Sequence, residues 1–310
     1  MIMKKLFLAL AISSLMFSQI SSAVEKTVLR IGFQTAGTLD WELSLLEQSP
    51  AFEIQALPFA TADATKIALQ SGAVDMIVSD WLFVSQARNN GADFAFYPYS
   101  NLSGALVVTA NSPIQNIKDL VDKRLGIVGG EFDKNWLLLQ AVGKLQQIDL
   151  NTRAEKIFGA PPLISEQLKN QRVDAVLTYW HFAASLEALG YKQLLNGQDL
   201  QKALGISETV PTLGYVFNQS WANKNQTALK TFFAATKEAK NRLCDDDSTW
   251  KKATAKVEFA SPILRKHYCD GRINEWTEAN QAAANKLYNI LVGLNPKIGR
   301  SANLAEGTFW

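Results

Sequence analysis

The sequence predicts an α/β fold of two similar lobes, each built on a mainly parallel sheet with flanking helices. Three observations support this. Short apolar runs typical of buried strands alternate with helix-like stretches, and this alternation implies parallel strands joined by right-handed crossovers. The whole pattern occurs twice, and 310 residues are enough for two domains.

The repeat shows in two pairs of segments. Residues 74–83, VDMIVSDWLF, correspond to residues 173–182, VDAVLTYWHF, and residues 30–33, RIGF, correspond to residues 124–127, RLGI. Two unrelated units with the same periodicity are the alternative interpretation. The shared Val-Asp and Trp positions go beyond periodicity and favour two related units.

Each copy predicts the same order of elements. A first strand at RIGF or RLGI leads into a helix that carries Trp41 or Trp136, and a middle strand follows at residues 52–58 or 154–158. A helix, a third strand that begins after Val-Asp, and another helix complete each copy.

The chain continues through an extended segment at residues 211–217 into helical patterns. These helices have no partners of their own, so we expect them to pack back on the first lobe. Lobe one would then comprise residues 24–108 and 211–310, and lobe two residues 109–210. The chain would cross between the lobes near residues 106–111 and 205–211, and two crossings form a hinge that lets the lobes close.

The loops that follow the strands are the candidate ligand site. Ligands of open parallel sheets bind beyond the carboxyl ends of the strands. If the two units face each other, the loops after the first and third strands line one cleft. The candidate residues are Gln34, Asp40, Trp41, Ser79, Asp80 and Trp81 from the first copy, and Gly130, Glu131, Asp133, Thr178, Tyr179, Trp180 and His181 from the second.

Tryptophans at these loops predict an aromatic ligand box, in which the repeat pairs Trp81 with Trp180 and Trp41 with Trp136. Indole faces stack on planar rings or hold cations. Core packing is the alternative for each indole. His181 could contact a ligand or be a packed residue.

Acidic residues point to the ligand's chemistry. Glycines 129–130 before a helix would suit an anion, but Glu131 and Asp133 stand in the same turn, where they repel anions and where Asp133 suits a helix N-cap. Asp40 and Asp80 would accept hydrogen bonds from ligand N–H groups. The sequence therefore predicts a small planar or nitrogen-bearing organic ligand. A sulfonate-type anion and a hard metal ion are the alternatives.

The N-terminus predicts export. Lys4 and Lys5 precede an apolar run and the small residues 21–23, so residues 1–23 are expected to be a signal peptide cleaved after Ala23. The apolar run is shorter than the roughly 20 residues that span a bilayer. We expect a monomeric periplasmic protein.

Composition limits the other classes of function. In an oxidising compartment the two cysteines, Cys244 and Cys269, predict a disulfide, with free thiols as the alternative. A formal net charge of +2, which falls to zero without residues 1–23, argues against a nucleic-acid partner. With two histidines and no cysteine cluster, we expect no cofactor. Ser79, Asp80 and His181 lack a nucleophile-elbow motif, so hydrolysis is the weaker class and we expect no enzyme.

Four segments carry a family resemblance: LRIGFQ at 29–34, LQSGAVD at 69–75, IKDL at 117–120, and residues 168–180. The chain resembles periplasmic substrate-binding proteins of ABC importers for nitrate, sulfonates, taurine and thiamine-pyrimidine precursors. The resemblance implies a type II binding-protein fold, a small-molecule ligand between the lobes, and the importer's membrane subunits as partners. The family's usual Asp-Leu-Lys-Gly-Lys is here DLVDK, residues 119–123.

Residues 129–139, GGEFDKNWLLL, carry a narrower resemblance. They are similar to a subgroup associated with quinoprotein alcohol oxidation and lanthanide use. This resemblance implies two further alternatives, which are a binding protein for a metal or metal complex and an accessory protein of a periplasmic quinoprotein system.

Overall fold

The structure is a computed structural model that describes residues 26–35, 37–46, 49–257, 260–273, 275–299 and 301–310. The predicted signal peptide lies outside these residues. Within them, no helix is both long and apolar enough to cross a membrane.

Lobe one is built on a five-stranded sheet. Its strands are β1 (Thr27–Gln34), β2 (Phe52–Phe59), β3 (Met76–Ser79), β4 (Phe94–Ser100) and β10 (Leu213–Asn218). They lie in the order β2-β1-β3-β10-β4. β1 is parallel to β2 and β3, whereas β10 is antiparallel to β3 and β4.

Lobe two has a sheet of the same plan. Its strands are β5 (Gly104–Val108), β6 (Arg124–Val128), β7 (Glu155–Gly159), β8 (Ala175–Tyr179) and β9 (Lys192–Asn196), in the order β7-β6-β8-β5-β9. β6 is parallel to β7 and β8, and β5 is antiparallel to β8 and β9. The two-lobed α/β prediction is confirmed, with each sheet mixing two parallel and two antiparallel pairings.

Helices cover both faces of the sheets. They are α1 (Leu39–Leu43), α2 (Ala62–Gln70), α3 (Trp81–Asn89), α4 (Lys134–Leu145), α5 (Leu150–Arg153), α6 (Pro161–Lys169), α7 (Trp180–Ala188), α8 (Gly197–Ala203), α9 (Gln219–Lys224), α10 (Gln226–Asp245), α11 (Asp247–Ala253), α12 (Pro262–Asp270) and α13 (Glu278–Leu294). The predicted middle strands correspond to β2 and β7.

The arginine and the aspartate that both copies share form an ion pair within each copy. Arg30 Nη2 lies 2.5 Å from Asp75 Oδ1, and Arg124 Nη2 lies 2.7 Å from Asp174 Oδ1. Each aspartate also accepts the backbone N–H of its arginine, at 3.0 Å and 2.8 Å. The same contact therefore ties the first strand of each copy to the residue before its third strand.

The first crossing between the lobes lies elsewhere than predicted. β5 already pairs with β8 and β9, so the chain leaves lobe one at residues 101–103 and not at residues 106–111. The chain returns to the first sheet between α8 and β10. Because β5 and β10 hold equivalent antiparallel positions, each lobe incorporates a strand that directly follows a crossing.

The C-terminal helices do not all pack on lobe one. α10 covers the sheet of lobe one, where Phe232 packs with Leu29 and Ile31. α12 contacts α7, and α13 contacts α4, both in lobe two. The predicted disulfide between Cys244 and Cys269 is confirmed, and it joins the end of α10 to α12.

Candidate ligand-binding site between the lobes

The lobes meet at the carboxyl ends of the strands, where α3, α4 and α7 begin. Asp80 follows β3 and caps α3, accepting the N–H of Phe83 at 2.9 Å. Its other carboxylate oxygen lies 3.7 Å from Lys134 Nζ at the start of α4. Asp80 and Lys134 are both largely buried, so this ion pair joins the two lobes within the seam.

Asp133 performs the same task for α4. Its carboxylate accepts the N–H groups of Asn135 at 2.8 Å and Trp136 at 3.4 Å. Gly129 has a φ of +86°, and a Cβ there would lie 3.2 Å from Asp133 Oδ2. The carboxylate therefore occupies the space at the helix start where a bound anion would sit.

Tyr179 lies close to several acidic groups. Burial raises the pKa of its hydroxyl, and the carboxylates of Asp133, Asp63 and Asp80 raise it further. Burial likewise raises the pKa of Asp133, to which Asp80 adds and which Lys134 opposes. These groups come from α2, α3, α4 and the end of β8, so the seam concentrates negative charge from both lobes.

A cavity of about 450 Å³, the interlobe groove, lies on one side of this seam. Lobe one contributes Asp40 and Trp41 from α1, and α7 of lobe two contributes His181 and Phe182. Its other lining residues come from the loop after β1, from α6, α7 and α12, and from α11 and the residues that follow it. The charged ones are Asp40, Glu166, Lys169 and Lys256. Three of the sequence-predicted site residues, Asp40, Trp41 and His181, thus meet at one cavity.

The tryptophans are arranged differently from the predicted pairs. Trp41 and Trp180 share one aromatic cluster, in which Tyr268 of α12 lies 5.5 Å from Trp41 and 6.3 Å from Trp180 between ring centroids. Trp136 is 1% exposed and lies in the core, because the third residue of α4 faces the sheet. Trp81 is also buried, and its indole N–H donates to the Pro211 carbonyl at 2.9 Å.

The remaining predicted residues fall at the ends of strands or on the surface. Ser79 and Thr178 are buried at the ends of β3 and β8, and the Thr178 hydroxyl has no hydrogen-bond partner among the described residues. Gln34 is partly exposed at the end of β1, whereas Gly130 and Glu131 are exposed before α4.

Sequence reasoning missed Lys134, Lys256 and Tyr268. Lys134 directly follows Asp133 in the turn that the sequence already marks as a candidate, so this position could have been included. Lys256 and Tyr268 lie in the C-terminal helical region, outside the repeat, and carry no signal that would place them near the seam. The described residues contain no group of three or more His, Cys, Asp or Glu side chains placed to hold a metal ion.

Solved structures share this architecture. The alkanesulfonate-binding protein SsuA from Xanthomonas axonopodis pv. citri, bound to MOPS, is 17% identical, with 93% of this chain and 99% of that chain covered and a TM-score of 0.71. The periplasmic aliphatic sulphonate binding protein SsuA from Escherichia coli is 18% identical, with coverages of 91% and 92% and a TM-score of 0.69. A ligand-binding component of an ABC-type import system from Staphylococcus aureus, with zinc bound, is 15% identical, with coverages of 92% and 96% and a TM-score of 0.68.

The two-lobed fold with its interlobe seam is therefore that of a periplasmic binding protein. The profile of the NMT1/THI5-like family matches residues 54–247, which is more than half of the chain, and the protein belongs to that family. No curated protein matches the sequence. The predicted family resemblance is confirmed, and two of the solved structures that share the fold are those of substrate-binding proteins. The narrower resemblance at residues 129–139 stays a prediction.

Proposed function

We propose that the protein is the periplasmic solute-binding component of an ABC importer, with a small planar or nitrogen-bearing organic ligand. The ligand would bind at the interlobe seam, against Asp80, Asp133 and Tyr179 and next to the groove at Trp41. One observation carries the choice of ligand, namely that aspartate carboxylates occupy the N-termini of both α3 and α4.

Helix N-termini attract anions because their first N–H groups are unpaired and carry partial positive charge. In this protein the carboxylates of Asp80 and Asp133 already accept those N–H groups. A sulfonate, which two of the solved relatives are named for, would meet two carboxylates here and one ammonium group, Lys134. A ligand that offers N–H groups would instead find acceptors, so the charge of the seam supports a nitrogen-bearing ligand.

The two crossings support a closing motion around this site. We propose that lobe one comprises the described residues up to the crossing at 101–103 together with those from residue 211 onward, and that lobe two rotates about both crossings. Closure would bring α7 against α12 and Lys134 against Asp80, as the structure shows them. A closed form would enclose the ligand and present one surface to the importer.

The test is a ligand panel read by thermal unfolding and tryptophan fluorescence. The mature chain would be incubated with benzylamine, aminopyrimidines, methanesulfonate and MOPS. We expect a nitrogen compound to raise the Tm, because a ligand that binds only the folded protein stabilises it by about 2.7 kcal/mol at 100 times its Kd. Asp80→Asn should weaken that binding about tenfold, since asparagine caps a helix as well as aspartate does but carries no charge.

Asp246→Asn is the matched control, because Asp246 caps α11 through the N–H groups of Ser248 and Thr249. It should leave ligand affinity unchanged. Stabilisation by methanesulfonate or MOPS, with none by any nitrogen compound, would overturn the ligand proposal. Copurification with a periplasmic dehydrogenase in place of importer subunits would overturn the importer role.

A further inference from the structure

A second cavity, of about 360 Å³, lies within lobe one, and we call it the lobe-one pocket. Strands β4 and β10 and helix α10 line it. Four residues beyond the end of α12 complete the lining, and they are Arg272, Ile273, Glu275 and Trp276. None of its lining residues lines the interlobe groove. It is therefore separate from the site proposed above.

Aromatic rings form its walls. Tyr97 of β4 stacks on Phe233 of α10, with ring centroids 4.1 Å apart and planes 4° from parallel. Tyr215 of β10 packs against Phe233 at 5.2 Å and edge-on against Tyr99 at 5.1 Å. These rings pack on one another and give the pocket an apolar aromatic wall, which favours an aromatic or other apolar group on a ligand.

Two hydrogen-bond donors in these walls lack partners. The Tyr215 hydroxyl and the Trp276 indole N–H are buried, and neither has a hydrogen-bond partner among the described residues. The Thr236 hydroxyl also lines the pocket, but its single proton is directed to the Phe233 carbonyl at 3.1 Å. Buried donors without partners are uncommon in folded proteins, and two at one pocket point to a ligand that supplies acceptors.

Three cationic side chains line the pocket. Lys237 and Arg272 lie at its rim, and Glu275 is the one acidic residue among those that line it. Lys240 lies at its base, where its amine donates to the Tyr99 carbonyl at 3.0 Å and lies 3.7 Å from Glu42. Glu42 lies opposite Lys240, and Asp245 lies 3.7 Å from Arg272, so the charges around the pocket nearly balance. Because the distance from Arg272 to Asp245 is longer than a hydrogen bond, the Arg272 guanidinium can still donate to an anionic acceptor on a ligand.

We propose that the lobe-one pocket binds a small aromatic carboxylic acid. The ring would lie against the aromatic wall, and the carboxylate would accept hydrogen bonds from Tyr215 and Trp276 beside Arg272. No covalent step is involved, and this site does not depend on the ligand of the interlobe seam.

The probe is benzoate, added to the mature chain at millimolar concentration and measured by calorimetry. Benzylamine has the same ring and opposite charge, and it should not bind in the pocket. Tyr215→Phe and Trp276→Phe each keep a ring and remove one donor, and each should weaken benzoate binding about tenfold, the loss expected for a hydrogen bond to a charged group. Arg272→Gln should weaken it similarly.

Thermal unfolding separates binding from folding. Tyr215→Phe should leave the Tm unchanged or raise it, because the hydroxyl it removes is buried without a partner. Asp80→Asn should leave benzoate affinity unchanged, which distinguishes this pocket from the seam. The proposal is overturned if benzoate does not bind. It is equally overturned if benzoate binds as tightly to Tyr215→Phe, Trp276→Phe and Arg272→Gln as to the unmodified protein.

Discussion

Two arginine–aspartate pairs occupy the same place in the two lobes, at Arg30 with Asp75 and Arg124 with Asp174. In each pair the aspartate receives both the guanidinium and the backbone N–H of the arginine. The arginine also donates to a carbonyl of the preceding turn, Gly72 in lobe one and Gln171 in lobe two. The repeated letters in the sequence are therefore the two halves of one structural contact.

Asp174→Asn should lower the free energy of unfolding by about 1 kcal/mol at pH 7, because it removes the charge that pairs with Arg124. The hydrogen bond from Arg124 lowers the pKa of Asp174. Since this pKa is lower in the folded chain than in the unfolded chain, the stabilisation is present above the unfolded value. It is lost as the pH falls through the folded value. Urea unfolding should therefore show a difference between the two proteins at pH 7 that shrinks below about pH 4.

The matched control is Asp122→Asn. Asp122 is 76% exposed and lies 3.3 Å from Arg153, so its loss should change stability little at either pH. An Asp174→Asn protein as stable as the unmodified chain at pH 7 would show that the repeated pair is not a stabilising contact.

At the scale of elements, α12 connects the C-terminal helices to both lobes. The disulfide between Cys244 and Cys269 holds it to α10, which itself packs on the sheet of lobe one. Tyr268 of α12 donates to Glu42 in α1, and Leu264 packs in the cluster with Trp41 and Trp180. The disulfide therefore stabilises the helix that covers the interlobe groove from lobe one.

Reduction of this disulfide should destabilise the protein by about 3.5 kcal/mol, the chain-entropy value for closing a loop of 25 residues. Urea unfolding with and without dithiothreitol measures the change. A Cys244→Ser/Cys269→Ser protein should have the lower stability under both conditions. Equal stability of the oxidised and reduced chains would mean that packing alone holds α12.

At the scale of the whole molecule, contacts between the lobes fall on two sides of the seam. Asp80 and Lys134 form one, and His267 Nε2 of α12, 2.7 Å from Glu187 Oε2 of α7, forms the other. Both contacts join segments on either side of the crossings. We therefore expect each to stabilise the closed arrangement relative to an open one.

Glu187→Ala should enlarge the ligand-free protein in solution, because removal of the contact with His267 favours the open arrangement. Small-angle X-ray scattering would show a larger radius of gyration. Asp270→Ala is the control, since Asp270 lies 2.6 Å from Lys266 on the same helix, α12, and both side chains are exposed. An unchanged radius in Glu187→Ala would show that this contact does not control closure.

Much of the candidate site could be predicted because its residues follow strands whose positions the repeat reveals. Asp80 and Asp133 were found in this way, and helix capping is a local property that needs no distant partner. The orientation of the tryptophans could not be predicted. Trp136 and Trp41 hold matching places in the sequence, yet one faces the core of its lobe and the other faces α11 and α12, which cover α1.

The sequence by itself determined the two α/β units, the arginines and aspartates at matching positions, the single possible disulfide and the acidic residues at the strand ends. These follow from periodicity, composition and short spacing, which act within a few residues or between repeated segments. Only the tertiary structure decided that β5 belongs to lobe two, that α12 and α13 reach lobe two, and that Trp41 meets Trp180. Those outcomes depend on packing between segments far apart in the sequence, where many partners satisfy the same hydrophobic pattern and shape complementarity selects one.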